Sequence, residues 1–87
     1  MPIYVARVER NGKQLVERAD VTVELLEDGS WRGRFFLPSR LSLAKRAKVE
    51  LSFFDGRQGK AVVDHLHPVS SKTSPRLVEI TGVGPLE

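Results

Sequence analysis

The chain has 87 residues, which is enough for one domain with one hydrophobic core, and we take residues 1–87 as a single domain. It contains no cysteine, so a disulfide framework, a thiolate metal cage and a cysteine nucleophile are excluded. Its formal net charge is +3, and the excess lies in residues 32–60, which hold eight of the 14 Lys and Arg side chains and two of the 11 Asp and Glu side chains.

The N-terminal segment has no apolar stretch of signal-peptide length, and the longest run of large apolar side chains is residues 35–37. We therefore expect a cytoplasmic protein with no membrane partner. The first predicted strand covers residues 3–8 and leads to a turn at Asn11 and Gly12.

Residues 19–37 predict a β-hairpin, because apolar and polar residues alternate in residues 21–25 and a Glu-Asp-Gly turn signal follows at 27–29. A three-residue loop sets Leu26 opposite Ser30 and brings like residues together on each face. The inward pairs are then Val21/Phe35, Val23/Gly33 and Leu25/Trp31, and the outward pairs are Thr22/Arg34 and Glu24/Arg32. A two-residue Asp-Gly turn would mix buried and solvated residues on each face, so we reject it.

Residues 38–48 connect this hairpin to a second one, and Ser39 is expected to cap at most one short helical turn within residues 39–46. The second hairpin turns at residues 54–56, Phe-Asp-Gly, so both hairpins use the same x-Asp-Gly device. Its inward pairs are Val49/Ala61, Leu51/Gly59 and Phe53/Arg57, and its outward pairs are Glu50/Lys60 and Ser52/Gln58.

Residues 68–75 form a polar, proline-bounded loop that we expect to be mobile, and residues 76–83 form the last strand, rich in Val and Ile. One strand at each end and two hairpins between them give six short antiparallel strands. A sheet of six short strands leaves no unpaired backbone groups at its edges if it closes into a barrel. The predicted fold class is therefore all-β, a small six-stranded antiparallel barrel or, as the other possibility, a tight sandwich.

The order strand, hairpin, connection, hairpin, strand resembles the six-stranded barrels of the PilZ family. That family binds cyclic dinucleotides through an Arg-x-x-x-Arg stretch ahead of the barrel and an Asp/Asn-x-Ser-x-x-Gly strand motif. The nearest counterparts here, Arg7 with Arg10 and residues 28–30 (Asp-Gly-Ser), have a different spacing. The resemblance therefore covers the architecture only and implies no ligand.

Basic side chains cluster in and just before the connection between the hairpins. Phosphate groups would be attracted to this segment. The candidate anion-binding residues are Arg32, Arg34, Arg40, Lys45, Arg46 and Lys48. Because Glu24 and Glu50 neutralise part of this charge, we hold nucleic-acid or phosphate-ligand binding as the alternative function.

Four apolar residues are expected to face outward from the barrel, and these are Phe36, Phe54, Val62 and Leu66. Exposed apolar groups can mark a contact with a protein partner or with a second copy of the chain. We therefore take a non-catalytic binding or assembly module as the leading hypothesis, and we expect neither enzyme activity nor a cofactor.

His65 and His67 stand two apart in one strand and could share a face, as metal-binding His-x-His pairs do. A metal site would need a third ligand, which without cysteine must be a carboxylate such as Asp55 or Glu79. The sequence does not bring either carboxylate to the histidines, so we favour partly buried histidines near a strand end and assign no metal. A metal-dependent or hydrolytic enzyme is the remote alternative.

Overall fold

The computed structural model describes residues 3–38, 40–41, 43–69, 74–84 and 86. The strands are β1 (Ile3–Arg10), β2 (Lys13–Leu25), β3 (Trp31–Leu37), β4 (Lys48–Phe53), β5 (Gln58–Leu66) and β6 (Arg76–Val83). All neighbouring strands are antiparallel, and they close into a barrel in the order β1-β2-β3-β6-β5-β4, with β4 paired to β1. The predicted all-β, six-stranded antiparallel barrel is confirmed.

Both predicted hairpin registers are observed. In the first hairpin Val23 pairs with Gly33 and Leu25 with Trp31, and in the second Leu51 pairs with Gly59. Gly29 and Gly56 have φ values of 88° and 100°. This left-handed conformation suits glycine because it has no β-carbon to clash with the following carbonyl. Turn length and side-chain alternation together set the register in both hairpins.

The pairing of β1 with β2 extends further than the sequence predicted. Arg10 pairs with Lys13 across a two-residue turn in which Asn11 and Gly12 have φ values of 53° and 78°. The predicted turn is therefore observed, but β2 begins directly after it at Lys13 and not near Ala19. Residues 13–18 show no apolar alternation, and their pairing with β1 contains two register irregularities. No local pattern predicts a strand in residues 13–18, and they form one because they pair with β1.

The connection between β3 and β4 contains turns and no helix in its described residues, so the short helical turn is not formed there. Leu41 N donates to Pro38 O at 3.0 Å and Ala47 N to Ala44 O at 3.1 Å. The end of the connection runs beside β5, where Val63 N donates to Ala47 O at 2.8 Å. Bonds to a strand thus replace those of a helix.

Two predictions fall partly or wholly on residues that the structure does not describe. Ser39, the predicted helix cap, lies outside the described residues. So do residues 70–73, which form the centre of the loop that was predicted to be mobile.

The barrel interior is filled by apolar side chains. The largest fully buried ones are Trp31, Phe35, Leu37, Leu51 and Ile80. Among the described residues no polar or charged side chain is buried. A packed interior without polar groups offers no place for a polar ligand. Any functional site in the described part of the chain must therefore lie on the outer surface.

Candidate functional site

A β-bulge in β5 decides which side chains reach that outer surface. Val63 pairs with Ile80 of β6, but the next aligned pair is His65 with Glu79, so Asp64 is an extra residue in the ladder. An extra residue reverses the alternation of the side chains that follow it. His65 therefore lies on the outer face, beside Glu79, where uninterrupted alternation would have turned it inward.

The bulge also turns Leu66 away from the predicted contact surface. Leu66 pairs with the fully buried Val78 and packs against the core. The sequence prediction assumed uninterrupted alternation after Val62, which would have left Leu66 facing outward. Its expected outward position is therefore not observed, for the same reason that the histidines turn outward.

The other three predicted contact residues do not form one surface. Phe36 is 61% exposed and lies near the end of β3 that leads into the connection. Phe54 is 55% exposed but follows β4 at the opposite end of the barrel. Val62 is half-buried on the outer face of β5, between Lys48 and Thr81.

The six candidate basic residues fall into two groups. Arg32 and Arg34 lie on the outer face of β3 in a groove that also contains the carboxylates of Glu24, Asp64 and Glu79. Arg32 forms the predicted ion pair with Glu24, and the hydrogen bond that the guanidinium donates to the Glu24 carboxylate raises the pKa of Arg32. This groove carries charges of both signs and is not a basic patch.

The second group consists of the basic residues of the connection and the first residue of β4, and these are Arg40, Lys45, Arg46 and Lys48. All four are exposed, and none forms an ion pair with another described residue. Lys48 pairs with Val62, which pairs with Thr81, which in turn pairs with Arg32. Three strand spacings, about 14 Å, therefore separate Lys48 from Arg32 along the sheet.

The two histidines and Glu79 form a cluster on the outer face. His67 Nε2 lies 2.7 Å from Glu79 Oε2, and the rings of His65 and His67 meet edge-to-face with centroids 4.4 Å apart. The hydrogen bond from His67 holds the pKa of Glu79 below its usual range, and the nearby charges of His67, His65 and Arg34 act in the same direction. Asp55, the other carboxylate considered from the sequence, instead accepts bonds from Arg57 in the β4–β5 turn.

Most of the large exposed apolar residues lie at one end of the barrel. We call this the apolar end, and it is the end that holds the β2–β3 and β4–β5 turns. Five of the six large apolar residues that are exposed among those described lie there, namely Ile3, Leu25, Leu26, Phe54 and Val83. Of these five residues, only Phe54 was predicted from the sequence to face outward. The alternation pattern assigned Leu25 to the interior, and it makes no prediction for residues next to the turns.

The apolar end is closed by a packed side chain. Trp31 is fully buried there, and its Nε1 donates a hydrogen bond to Gly84 O at 3.1 Å. Leu86 packs against the same core. Trp31 and Leu86 thus fill the barrel at this end.

Cationic side chains contact aromatic rings beside the apolar end. The Arg57 guanidinium lies 4.7 Å from the ring centroid of Tyr4, and that of Arg18 lies 5.3 Å from the centroid of Phe54. Arg57 is also bonded to Asp55 at 3.0 Å. The rim of the apolar end therefore contains positive and negative groups next to its apolar residues.

Comparison of the chain with protein families, with curated proteins and with solved structures found no match in any of the three. No helix in the described residues is long and apolar enough to cross a membrane.

Proposed function

We propose that this domain is a non-catalytic protein-interaction module that self-associates through its apolar end. The observation that carries the proposal is the gathering of Ile3, Leu25, Leu26, Phe54 and Val83 at one end of the barrel. Scattered single apolar residues are ordinary on a protein surface, but a concentration of them in one region is typical of a contact surface.

A second copy of the chain is the partner that we propose for this surface, because its charges can complement each other. The closed barrel has no free strand edge, so a partner must be bound through side chains. Glu27 and Asp28 lie in one turn of the apolar end, and Lys60 lies near the other, at the start of β5. Two copies related by a twofold axis can set these opposite charges against each other while burying the apolar residues.

The size of the apolar end sets the strength of the association. The two shorter dimensions of the molecule are 24 and 22 Å, so an end-to-end contact is smaller than a standard stable interface of about 1,200–2,000 Å² in total. A small apolar contact that must also offset the entropy of association gives weak binding. We expect a dissociable dimer with a dissociation constant on the order of 10–100 μM.

Sedimentation velocity over a wide protein concentration range tests the proposal. The wild type is expected to show a dimer fraction that rises with concentration. Leu25→Ser and Val83→Ser should each weaken the dimer about tenfold or more, because each removes an apolar contact from the interface. Phe36→Ser is the matched control, since Phe36 is equally exposed but lies towards the other end.

Three results would contradict this proposal. The wild type could stay monomeric into the millimolar range. Leu25→Ser could dimerise like the wild type, or Phe36→Ser could disrupt the dimer, and either would assign the contact to another surface. Amide spectra of each variant show whether the fold is kept, so that unfolding is not mistaken for dissociation.

A second candidate function is the binding of nucleic acid or a phosphate-bearing ligand. One observation favours it, namely the group of four exposed cations without ion pairs at Arg40, Lys45, Arg46 and Lys48. Unpaired cations close together in sequence attract phosphate groups. Arg32 is not part of this candidate site, because Glu24 already neutralises it.

A further inference from the structure

We infer that His65, His67 and Glu79 form a binding site for a divalent transition-metal ion. These three side chains each offer one ligand atom, and the three atoms all lie within 4.8 Å of one another. The site is independent of the proposed self-association, because His67 follows the end of β5 that points away from the apolar end.

Two ligands of the site, His65 and Glu79, lie on paired strands, and His67 directly follows β5. The bulge at Asp64 sets His65 directly opposite Glu79 of β6. The backbone of His67 is bonded to β6, since His67 N donates to Leu77 O at 3.0 Å. Backbone bonds to a neighbouring strand fix the positions from which these side chains extend. Bulges are also common beside functional sites, where they redirect side chains.

The three ligand atoms lie within 4.8 Å of one another and must move closer by side-chain rotation to bind an ion. Zinc lies about 2.0–2.2 Å from imidazole nitrogen and carboxylate oxygen, so tetrahedral ligand atoms are about 3.3 Å apart. His67 Nε2 and Glu79 Oε2 are slightly closer than this, at 2.7 Å, because they share a proton in a hydrogen bond. An ion placed between them replaces that proton, and His65 supplies the third ligand atom.

The ligand set selects the class of ion. Two imidazoles and one carboxylate suit Zn²⁺, Ni²⁺ and Cu²⁺, whereas Mg²⁺ and Ca²⁺ prefer ligand sets made only of oxygen. Three protein ligands leave a fourth tetrahedral position open to water or to an external ligand. The chain has two histidines in all, so any site that uses two imidazoles must use this pair.

The groups around the cluster set limits on its affinity. Arg34 of β3 pairs across the sheet with Glu79 and opposes a cation. Asp64 lines the same groove as Glu79 and attracts one. The side chains of His67 and Glu79 are 37% and 41% exposed, so water competes for the ion. The balance points to affinity in the micromolar range, below that of a buried structural zinc site.

The experiment is a titration of labelled protein, free of any polyhistidine tag, with ZnCl₂ and separately with MgCl₂ at neutral pH. Saturable amide shifts at residues 64–67 and 77–80 at one equivalent of Zn²⁺ are expected, with no shifts from Mg²⁺. The side-chain nitrogen shifts of both histidines in the wild type should report direct ligation. His67→Asn should weaken binding at least 100-fold and Glu79→Gln at least tenfold.

Glu50→Gln is the matched control, because Glu50 is an exposed carboxylate on the outer face of the neighbouring β4 and should not change zinc affinity. The inference is overturned if the wild type shows no saturable Zn²⁺ shifts. It is equally overturned if zinc binding survives in the His65→Asn/His67→Asn double variant, or if the histidine nitrogen shifts do not move in the wild type. The last measurement needs no substitution, so it stands even if a variant fails to fold.

Discussion

Nε1 of Trp31 lies so close to the backbone of Gly82 that a β-carbon at residue 82 would overlap the indole ring. The same ring also excludes a side chain at Gly59 of β5, where a β-carbon would lie 2.8 Å from Trp31 Cζ2. Glycine on two neighbouring strands therefore makes room for the single tryptophan of the chain, which fills the barrel next to the apolar end.

Gly82→Ala is expected to destabilise the fold strongly, because either the indole or the β6 backbone must move. Overpacking of this kind costs about 3 kcal/mol. For a domain of this size the melting temperature should fall by roughly 12 °C or more. Because Trp31 is the only tryptophan, its emission should also shift to the red as the ring meets water.

Thr81→Ala is the control for this substitution, because Thr81 is the exposed neighbour of Gly82 on the same strand. Its cost should stay within about 1 kcal/mol, the range of strand propensity. Equal urea midpoints and equal emission maxima for Gly82→Ala and Thr81→Ala would show that the contact with Trp31 is not limiting.

The two x-Asp-Gly turns should respond to substitution through the backbone alone. Gly29 and Gly56 have positive φ, and a β-carbon at either position would meet no atom within 4 Å. Gly29→Ala and Gly56→Ala should therefore each lose about 1 kcal/mol, the cost of a left-handed alanine less its gain in the unfolded state. Asparagine tolerates this conformation, so Gly29→Asn and Gly56→Asn should lose clearly less in urea unfolding. An equal loss for alanine and asparagine would contradict this explanation.

The aspartates of the same turns make stability depend on pH. The Ser30 hydroxyl and then the Ser30 backbone N–H hold the pKa of Asp28 below its usual range. The Arg57 backbone N–H and then its side chain do the same to the pKa of Asp55. A depressed carboxyl pKa contributes stability that is present above the unfolded value, 3.8, and is lost as the pH falls through the folded value.

The Asp28→Asn/Asp55→Asn double variant should therefore lose less stability than the wild type between about pH 5 and pH 2.5. Urea unfolding followed by Trp31 emission across this range measures the effect. Asp20→Asn is the control, since Asp20 is exposed on β2 and makes no side-chain hydrogen bond to a described residue. Parallel pH profiles for the wild type and the double variant would refute the role of these turns.

The hairpin registers could be predicted because they depend on local information. Alternation in residues 21–25 and a three-residue loop are enough to set Val23 against Gly33. The bulge at Asp64 depends on contacts that are distant in sequence, since Val63 is bonded to Ala47 on one side and paired with Ile80 on the other. No local pattern marks Asp64 as the extra residue, so alternation failed from that point on.

This single bulge accounts for most of what the sequence could not reveal about the outer face. It turns Leu66 towards the core and brings His65 to Glu79. The apolar end was missed for a different reason. Leu25 follows the inward alternation, but the barrel has ended at that point, and the side chain is 65% exposed. Alternation predicts on which face of the sheet a side chain lies, but it does not predict where the barrel ends and the side chain becomes exposed.

The basic connection makes a separate prediction about nucleic acid. If it binds phosphates, then short single-stranded or double-stranded DNA at low salt should shift amides around residues 40–48 and leave Arg32 unaffected, because Glu24 neutralises Arg32. Four cations that each neutralise one phosphate of duplex DNA would make the affinity fall roughly 50-fold for a threefold rise in salt.

Lys45→Ala/Lys48→Ala should then halve the slope of log affinity against log salt, because two of the four phosphate contacts are lost. Arg32→Ala is the matched control and should leave both affinity and slope unchanged. Shifts that ignore salt would mean that charge is not what binds the DNA. A slope that falls equally in Arg32→Ala would assign the binding to the mixed-charge groove, where each arginine faces a carboxylate, and would remove the connection as the anion-binding surface.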